Sequence, residues 1–578
     1  MSLQQIEFVI LFFNKTEPLI YMIYPKKELA QLIVHACETH KIETVIVSPG
    51  SRNAPLIIGF HNNPKIEALS IVDERSAAFF ALGIAQQTQK PVALVCTSGS
   101  ALLNYYPAIA EAYFSNIPLI VLSADRPKHL LNIGDGQTIN QKNVFKNHIL
   151  MSANLEEGKS LQNFNIVNKT IKKAIDKNGP VHINIPFNEP LYETTSKAIK
   201  FTELEKVVKI SLLDEEPLDV DELDVFAKRW NASKKKMVLI GVNFPSEMIQ
   251  TQINHLLEDD SVLVLTETTS NIYHTKIING IDKLIATLTK KEKEELRPDI
   301  LLTFGGMVIS KKIKQYLREF KPKDHWHVDK KTTLNTYHCL SHHFKVSAEL
   351  FFSQFFFLSK VNKSTYQSKF LHVKKNIEIE HNEFLEKIEF SDLKVYDNII
   401  KSIPKNYNLQ LANSSVVRYS QLFNLDNTLN VFCNRGTSGI DGSTSTAVGF
   451  AHSSNRKTLF ITGDISFYYD SNAFFNKYLK KDFRVIIINN SGGGIFRFIP
   501  GPQTTNALEY FETTHDLNAK NICQMHGLTY LSVDDLDDLS KKLDKFYNKS
   551  TKAKVLEIFT PKDINDKILK EYFAYFAG

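Results

Sequence analysis

Two apolar runs in the last third of the chain end in residues able to hold a cation. Ile461-Thr462-Gly463-Asp464-Ile465-Ser466 closes the first and Val485-Ile486-Ile487-Ile488-Asn489-Asn490 the second, with Asn490 lying 26 residues after Asp464. A strand, a helical crossover and a second parallel strand span about that length, so the two side chains are expected at one edge of a sheet. One carboxylate, one amide oxygen and a main-chain carbonyl from Gly492, in the glycine run that follows, suit octahedral Mg²⁺, or Mn²⁺ in its place, with positions left open for a diphosphate. The same residues also suit a plain turn and a glycine-rich loop, and the run carries no G-x-G-x-x-G fingerprint.

Glu74 stands in a comparable place. Ala68 to Val72 reads as a strand, and Asp73-Glu74-Arg75-Ser76 opens a small-residue helix from Ala77 to Gln87. A carboxylate there either balances the helix macrodipole or, partly desolvated, works as an acid or base. Other polar loops follow apolar runs: Ser48-Pro49-Gly50-Ser51-Arg52-Asn53 after Thr44 to Val47, Thr97-Ser98-Gly99-Ser100 after Val92 to Cys96, and Ala124-Asp125-Arg126-Pro127 after Ile117 to Ser123. Ligands of α/β sheets sit in such carboxyl-end loops. Asn413-Ser414-Ser415-Val416-Val417-Arg418 follows Leu409 to Ala412, and Asn434-Arg435-Gly436-Thr437-Ser438-Gly439-Ile440-Asp441-Gly442 leads into a helix whose N-terminus is expected to attract phosphate oxygens. Gly305-Gly306-Met307-Val308-Ile309-Ser310-Lys311-Lys312 sets two lysines behind a glycine turn, a pattern that equally suits a solvated helix start.

The elements that must position these loops alternate between buried strand and helix, which predicts an α/β class of three doubly wound parallel-sheet domains. The expected units are 22–195, 205–360 and 392–578, with a Lys- and Glu-rich helical connector at 361–391. A polar linker runs from 190 to about 210. Residues 1–21 form an extension with no assigned role; its apolar run from Ile6 to Phe13 has no basic residue before it and is too short to span a bilayer. The 578 residues carry 69 basic and 63 acidic side chains, interleaved, for a net charge of only +6, which leaves no nucleic-acid footprint. Five scattered cysteines without a C-x-x-C fit a reducing cytoplasm and argue against zinc.

The Gly463-Asp464 to Asn489-Asn490 spacing resembles the cofactor signature of the thiamine-diphosphate enzymes. Ser-Pro-Gly-Ser-Arg at 48–52, Asp-Glu-Arg-Ser-Ala at 73–77, Thr-Ser-Gly-Ser-Ala at 97–101, Ala-Asp-Arg-Pro at 124–127, Asn-Arg-Gly-Thr-Ser-Gly-Ile-Asp-Gly at 434–442 and Asn-Asn-Ser-Gly-Gly-Gly-Ile-Phe at 489–496 resemble, more narrowly, the branch of that family serving menaquinone biosynthesis. That branch condenses decarboxylated 2-oxoglutarate with isochorismate.

The resemblance implies roles residue by residue. Glu74 is the catalytic acid that hydrogen-bonds N1′ of the aminopyrimidine. Asp464, Asn490 and Gly492 hold the metal, while Ser438, Ile440, Ile465, Ser466, Ile495 and Phe496 contact thiamine diphosphate, Ile440 pressing the cofactor into its bent shape. The dicarboxylate substrates fall to Ser51, Arg52, Gln137, Lys311, Asn413, Ser414, Arg418 and Arg435, with Phe496 and Ile499 as an apolar wall; bidentate arginines suit such anions. Ile465, Lys312 and Gly136 depart from the family's usual glycine, arginine and asparagine. The family also implies a homo-oligomer, dimer or tetramer, whose sites are shared between subunits, so that Glu74 and Asp464 act in trans. Two other readings stay open at this point: another thiamine-diphosphate carboligase, such as an acetolactate synthase, and a non-catalytic nucleotide-binding protein on the same fold.

Overall fold

The computed structural model describes residues 23–201, 215–499 and 501–576. The extension 1–21, the later part of the expected linker and the unit boundary near 205 lie outside the described residues, whereas 190–201 of that linker are described and include the strand Thr194–Thr195. Three parallel sheets organise the rest. The first runs, in spatial order, Glu67–Ser70, Thr44–Val47, Val92–Cys96, Leu119–Asp125, Val181–Pro186, Ser152–Asn154; the third runs Asn430–Cys433, Asn408–Leu411, Thr458–Gly463, Arg484–Asn489, Lys554–Phe559, Thr529–Val533. The two orders are the same relative to the chain, and every pairing in them is parallel. The middle sheet has five strands, Val262–Thr266, Lys236–Ile240, Ile300–Phe304, Asp324–Val328 and His342–Phe344. Helices cover both faces of all three sheets, the doubly wound arrangement expected from the alternation of apolar runs.

The strand interiors are buried throughout because both faces of each sheet are covered, and this is why they read as unbroken apolar runs instead of alternating ones. One core extends from Ile46 and Leu94 of the first unit through Leu239 and Leu301 of the middle one to Ile461 and Ile487 of the third. The outer faces of the first and middle sheets have cores of their own. A short antiparallel pair, Tyr24–Pro25 with Thr194–Thr195, ties the two ends of the first unit together. The expected connector is a 22-residue helix, Tyr366–Lys387.

The first and third units meet where the helices Glu74–Thr88 and Ser443–Ser453 cross. A Cβ on Gly83 would lie 2.0 Å from the Thr446 carbonyl oxygen, and one on Gly449 would lie 2.0 Å from that of Phe80. The backbones therefore touch, and no side chain larger than hydrogen fits between them. Gly83→Ala is expected to push the helices apart and cost about 1–3 kcal/mol by overpacking, lowering the thermal midpoint. Gly136→Ala, where an added Cβ meets nothing within 4 Å, is the control. Equal melting of the two variants would contradict this account of the crossing.

Candidate functional site

Asp464 directly follows the strand Thr458–Gly463, opens the helix Asp464–Tyr469 and is 2% exposed. Its Oδ1 accepts from the Ile465 N–H at 2.7 Å and its Oδ2 from the Gly492 N–H at 2.9 Å. His515 Nε2 stands 3.3 Å from the same Oδ2, and the carboxylate raises the imidazole pKa. Asn490 follows the strand Arg484–Asn489, and its Nδ2 donates to Asp392 Oδ2 at 2.9 Å. That bond commits the amide nitrogen and leaves the carbonyl oxygen of Asn490 to a cation. Asp392 is buried and also accepts from Thr560 Oγ1 at 2.6 Å; burial pushes its pKa up to about 6. Asn489, by contrast, turns into the interior, its Nδ2 donating to Glu557 Oε1 at 2.8 Å and to Leu517 O at 2.9 Å. Of the adjacent asparagines only Asn490 is placed to serve a ligand.

A cavity of ≈ 270 Å³ opens over these groups. Asp464, Ile465, Ser466, Asn490 and Gly492 line it together with Asn413, Ser414, Ile440, Ile495 and Phe496. No group of three or more His, Cys, Asp or Glu side chains able to hold a metal occurs among the described residues. The donor set here is instead one carboxylate, one amide and main chain, which fits a hard, oxygen-seeking cation. Ser466 Oγ donates to Ile440 O at 3.1 Å, tying the loop that carries Ile440 to the Asp464 segment. Ser438, in the same loop, adopts a left-handed conformation with φ 62°. Ile499 continues the turn after Phe496, its N–H donating to Ile495 O at 3.2 Å.

The N-terminus of the helix Ser443–Ser453 carries one protein carboxylate of its own: Asp470 accepts from Ser445 N at 2.7 Å and from Ser445 Oγ at 2.8 Å. Burial raises the Asp470 pKa to about 7. A protein carboxylate thus balances this helix end before any ligand arrives.

The cations divide into two groups. Arg418 Nη1 donates to Ser414 O at 2.6 Å, and Arg435 Nη1 to Asn413 Oδ1 at 2.7 Å. Burial and then Arg435 lower the Arg418 pKa, while Arg435 Nε is buried without a hydrogen-bond partner, an arrangement that suits an incoming anion. Arg435 lines a second cavity of ≈ 270 Å³ at the junction of the three units. The Asn413 amide is fully engaged: Nδ2 donates to Asn434 O and Gly439 O, at 2.8 and 2.7 Å, and Oδ1 accepts from Arg435. Lys311 is exposed at the start of the helix Lys311–Glu319, and Lys312 lies 4.6 Å from the centre of the Phe573 ring.

The residues of the first unit do not line the cavity around Asp464. Arg52 Nη1 donates to Phe187 O at 2.9 Å and meets Glu189 at 3.2 Å. Ser51 is exposed, and the Gln137 carbonyl accepts from Arg126 Nη1 at 2.9 Å. Glu74 is the first residue of its helix, but Asp73 performs the capping, accepting from Ser76 N at 3.0 Å. Glu74 itself has a 3.4 Å contact from Asn104 Nδ2. Glu74 thus lies in the first turn, where a carboxylate favours the macrodipole, without making the capping bond itself.

Several residues of this region escaped the sequence reading. Asp392 and His515 touch the candidate metal ligands Asn490 and Asp464 from 98 and 51 positions away in the chain, and no local pattern links them. Buried Glu267 accepts from the Ile309 and Ser310 N–H groups just before Lys311, and burial pushes its pKa to about 7. Lys314 is half-buried beside Glu267, Arg435 and Arg418, and burial lowers its pKa. Its place three residues after Lys311, on one helical face, was the available signal. Arg126, by contrast, stands in a polar loop legible in the sequence; it donates to Ser98 Oγ at 2.8 Å as well as to Gln137, and joins the loops after two neighbouring strands.

Comparison with known proteins follows the three sheets. Residues 27–149 match the N-terminal TPP-binding domain of thiamine pyrophosphate enzymes, residues 224–411 the middle domain of that family, and residues 414–558 its C-terminal TPP-binding domain. A solved benzoylformate decarboxylase from Polynucleobacter necessarius superposes with a TM-score of 0.69 at 16% identity, covering 93% of this chain and 99% of the other, and so shares the fold. The 2-succinyl-5-enolpyruvyl-6-hydroxy-3-cyclohexene-1-carboxylate synthase of Flavobacterium johnsoniae is 50% identical over 96% of this chain and 99% of its own length. Its counterpart in Christiangramia forsetii is 49% identical over 96% of this chain and 100% of its own length. The chain therefore belongs to the thiamine pyrophosphate enzymes and, within them, to the family of 2-succinyl-5-enolpyruvyl-6-hydroxy-3-cyclohexene-1-carboxylate synthases.

Proposed function

We propose that the chain decarboxylates 2-oxoglutarate and joins the remaining four-carbon unit to isochorismate, giving 2-succinyl-5-enolpyruvyl-6-hydroxy-3-cyclohexene-1-carboxylate for menaquinone biosynthesis. The observation that carries the reading is the pairing of Asp464 with an Asn490 whose amide nitrogen is already held by Asp392, at the mouth of a ≈ 270 Å³ cavity. Asp464, Asn490 and the Gly492 main chain would hold Mg²⁺, or Mn²⁺, and through it a diphosphate.

Bound thiamine diphosphate supplies the electron sink that lets a 2-oxoacid lose CO₂. The chain's own residues do the rest. Glu74 holds a proton at N1′ of the aminopyrimidine. Ile440 props the cofactor rings, and Ser438, Ile465 and Ser466 flank the diphosphate. Arg418 and Arg435, with Arg52 and Lys311, bind the substrate carboxylates, and their fixed charges meet dianions without reorganisation. Ser51, Gln137 and Ser414 add hydrogen bonds, and Asn413 acts by fixing the loop that carries Arg435. Ile495, Phe496 and Ile499 exclude the water that would protonate the reacting carbon early.

The active site is read as shared between two copies of the chain. Glu74 does not line its own chain's cavity, and exposed apolar side chains lie on the neighbouring segments: Val72 and Leu103 are 48% and 42% exposed, and Tyr469 53%. Tyr469 lies 4.8 Å from the Arg75 guanidinium, and Asn472 donates to Asp73 at 2.7 Å, so these residues border the start of the Glu74 helix. A second copy would cover that patch and desolvate Glu74. The free cysteines fit a cytoplasmic setting, and among the described residues no helix is long and apolar enough to cross a membrane.

Glu74→Gln is expected to lower turnover by at least about 100-fold while leaving the far-ultraviolet circular dichroism and the oligomer unchanged. Product mass after incubation with 2-oxoglutarate, isochorismate, thiamine diphosphate and Mg²⁺ reads the outcome, and wild-type rates in the variant would remove Glu74 from the mechanism. Asp464→Ala is expected to weaken cofactor retention by at least about tenfold, since it deletes the one charged metal ligand. Calorimetric titration with thiamine diphosphate in Mg²⁺ measures this, and unaltered affinity would move the metal elsewhere.

A further inference from the structure

A carboxylate of the first unit reaches into the third. Glu111 lies near the end of the helix Tyr106–Ser115 and is 1% exposed. Its Oε1 accepts from Gly436 N at 2.6 Å and from Ser115 Oγ at 2.7 Å. Its Oε2 accepts from Thr437 N at 2.6 Å and from Thr437 Oγ1 at 2.8 Å. Among the described residues no Lys, Arg or His forms a salt bridge with it. Burying a carboxylate is unfavourable unless its oxygens are hydrogen-bonded, and here most of the donors come from one short loop of another unit. The approach is so close that a Cβ on Gly436 would stand 2.5 Å from Glu111 O and 2.7 Å from Ser115 Oγ.

That loop carries both kinds of ligand contact. Arg435 immediately precedes Gly436 and turns its Nη1 to Asn413, 2.7 Å away, with Nε buried and unpartnered. Ile440, on the wall of the cofactor cavity, comes four residues after Gly436, its carbonyl bonded to Ser466 Oγ at 3.1 Å. Between them the Gly439 carbonyl accepts from Asn413 Nδ2 at 2.7 Å. Asn413 thus holds the loop from within the third unit at Asn434, Arg435 and Gly439, while the main chain of Gly436 and Thr437 between those points is held by Glu111 of the first.

We propose that Glu111 is a positioning residue: by clamping Gly436 and Thr437 it fixes the loop so that Arg435 meets a substrate carboxylate and Ile440 meets the cofactor. The proposal rests on the reading of the cavity given above. It also makes the first unit serve two places, lending Glu74 to one site and steadying the ligand loop of its own chain through Glu111.

Glu111→Gln keeps the side chain's size and one carbonyl acceptor but turns N–H donors toward the loop's own N–H groups. Its thermal midpoint should stay within a few degrees of wild type, while the Kd for thiamine diphosphate in Mg²⁺ and the KM for 2-oxoglutarate each rise by about tenfold or more, the scale of losing a charge-assisted hydrogen bond. Thr437→Val, which removes only the hydroxyl bonded to Oε2, should raise both about threefold, and Thr437→Ser should restore them. A Glu111→Gln protein with Kd and KM within about twofold of wild type would overturn the proposal and leave Glu111 as an ordinary contact between units. Should Glu111→Gln not fold, the Thr437 pair decides, and indistinguishable Val and Ser variants would overturn it equally. The binding arm stands apart from the reaction: wild-type protein that binds the cofactor but forms no product from 2-oxoglutarate and isochorismate would remove the proposed function while the Kd comparison still reads the clamp.

Discussion

Backbone contact between the helices Glu74–Thr88 and Ser443–Ser453 is the constraint on which the site depends. At Gly83 and Gly449 the two helices come so close that each carbonyl occupies the space of the other's missing Cβ. Glu74 begins the first helix, and the loop with Arg435, Ser438 and Ile440 runs directly into the second. Any change in that crossing moves a candidate acid and a candidate ligand loop together. Two neighbouring polar ties, Arg75 Nη2 to Tyr469 O at 2.8 Å and Asn472 Nδ2 to Asp73 Oδ2 at 2.7 Å, fasten the start of the Glu74 helix to the 469–472 segment of the third unit.

Two sheets with one strand order have been given different chemistry at their carboxyl ends. In the third sheet the strand ends carry Asp464 and Asn490 around a cavity; in the first, the corresponding loops carry Ser51, Arg52 and Arg126, and a helix start carries Glu74. The fold explains why ligand residues collect there, since the carboxyl ends of parallel strands are where loops diverge and leave room. It does not choose the ligand. That choice lies in the side chains and in their supports, several of which are buried acids: Asp392 behind Asn490, Glu267 behind the turn into Lys311, and Asp470 at the start of the helix Ser443–Ser453. Each accepts hydrogen bonds from the segment it steadies, which is how a buried carboxyl group is tolerated and why it confers rigidity.

The long apolar runs made most strands legible, Val92–Cys96, Leu119–Asp125 and Arg484–Asn489 among them, because a strand buried on both faces must be largely apolar. Asp324–Val328, His342–Phe344, Ser152–Asn154 and Thr529–Val533 went unread. The first two are rich in histidine, and Thr303 Oγ1 meets one ring nitrogen each of His325 and His327, at 2.9 and 2.8 Å. The other two are edge strands of their sheets, with weaker apolar patterns.

Local order in the chain determined the α/β alternation, the pairing of Asp464 with Asn490, and the family motifs, since each depends on residues a turn, a strand or one crossover apart. Tertiary structure alone decided that Asn490 and not Asn489 is free for a ligand, that Asp470 already occupies a helix end, and that Glu111 holds the Gly436–Thr437 turn from 325 positions away. A hydrogen bond is sensitive to tenths of an ångström, and separations of that kind are set by how whole sheets and helices pack, which no spacing along the sequence encodes.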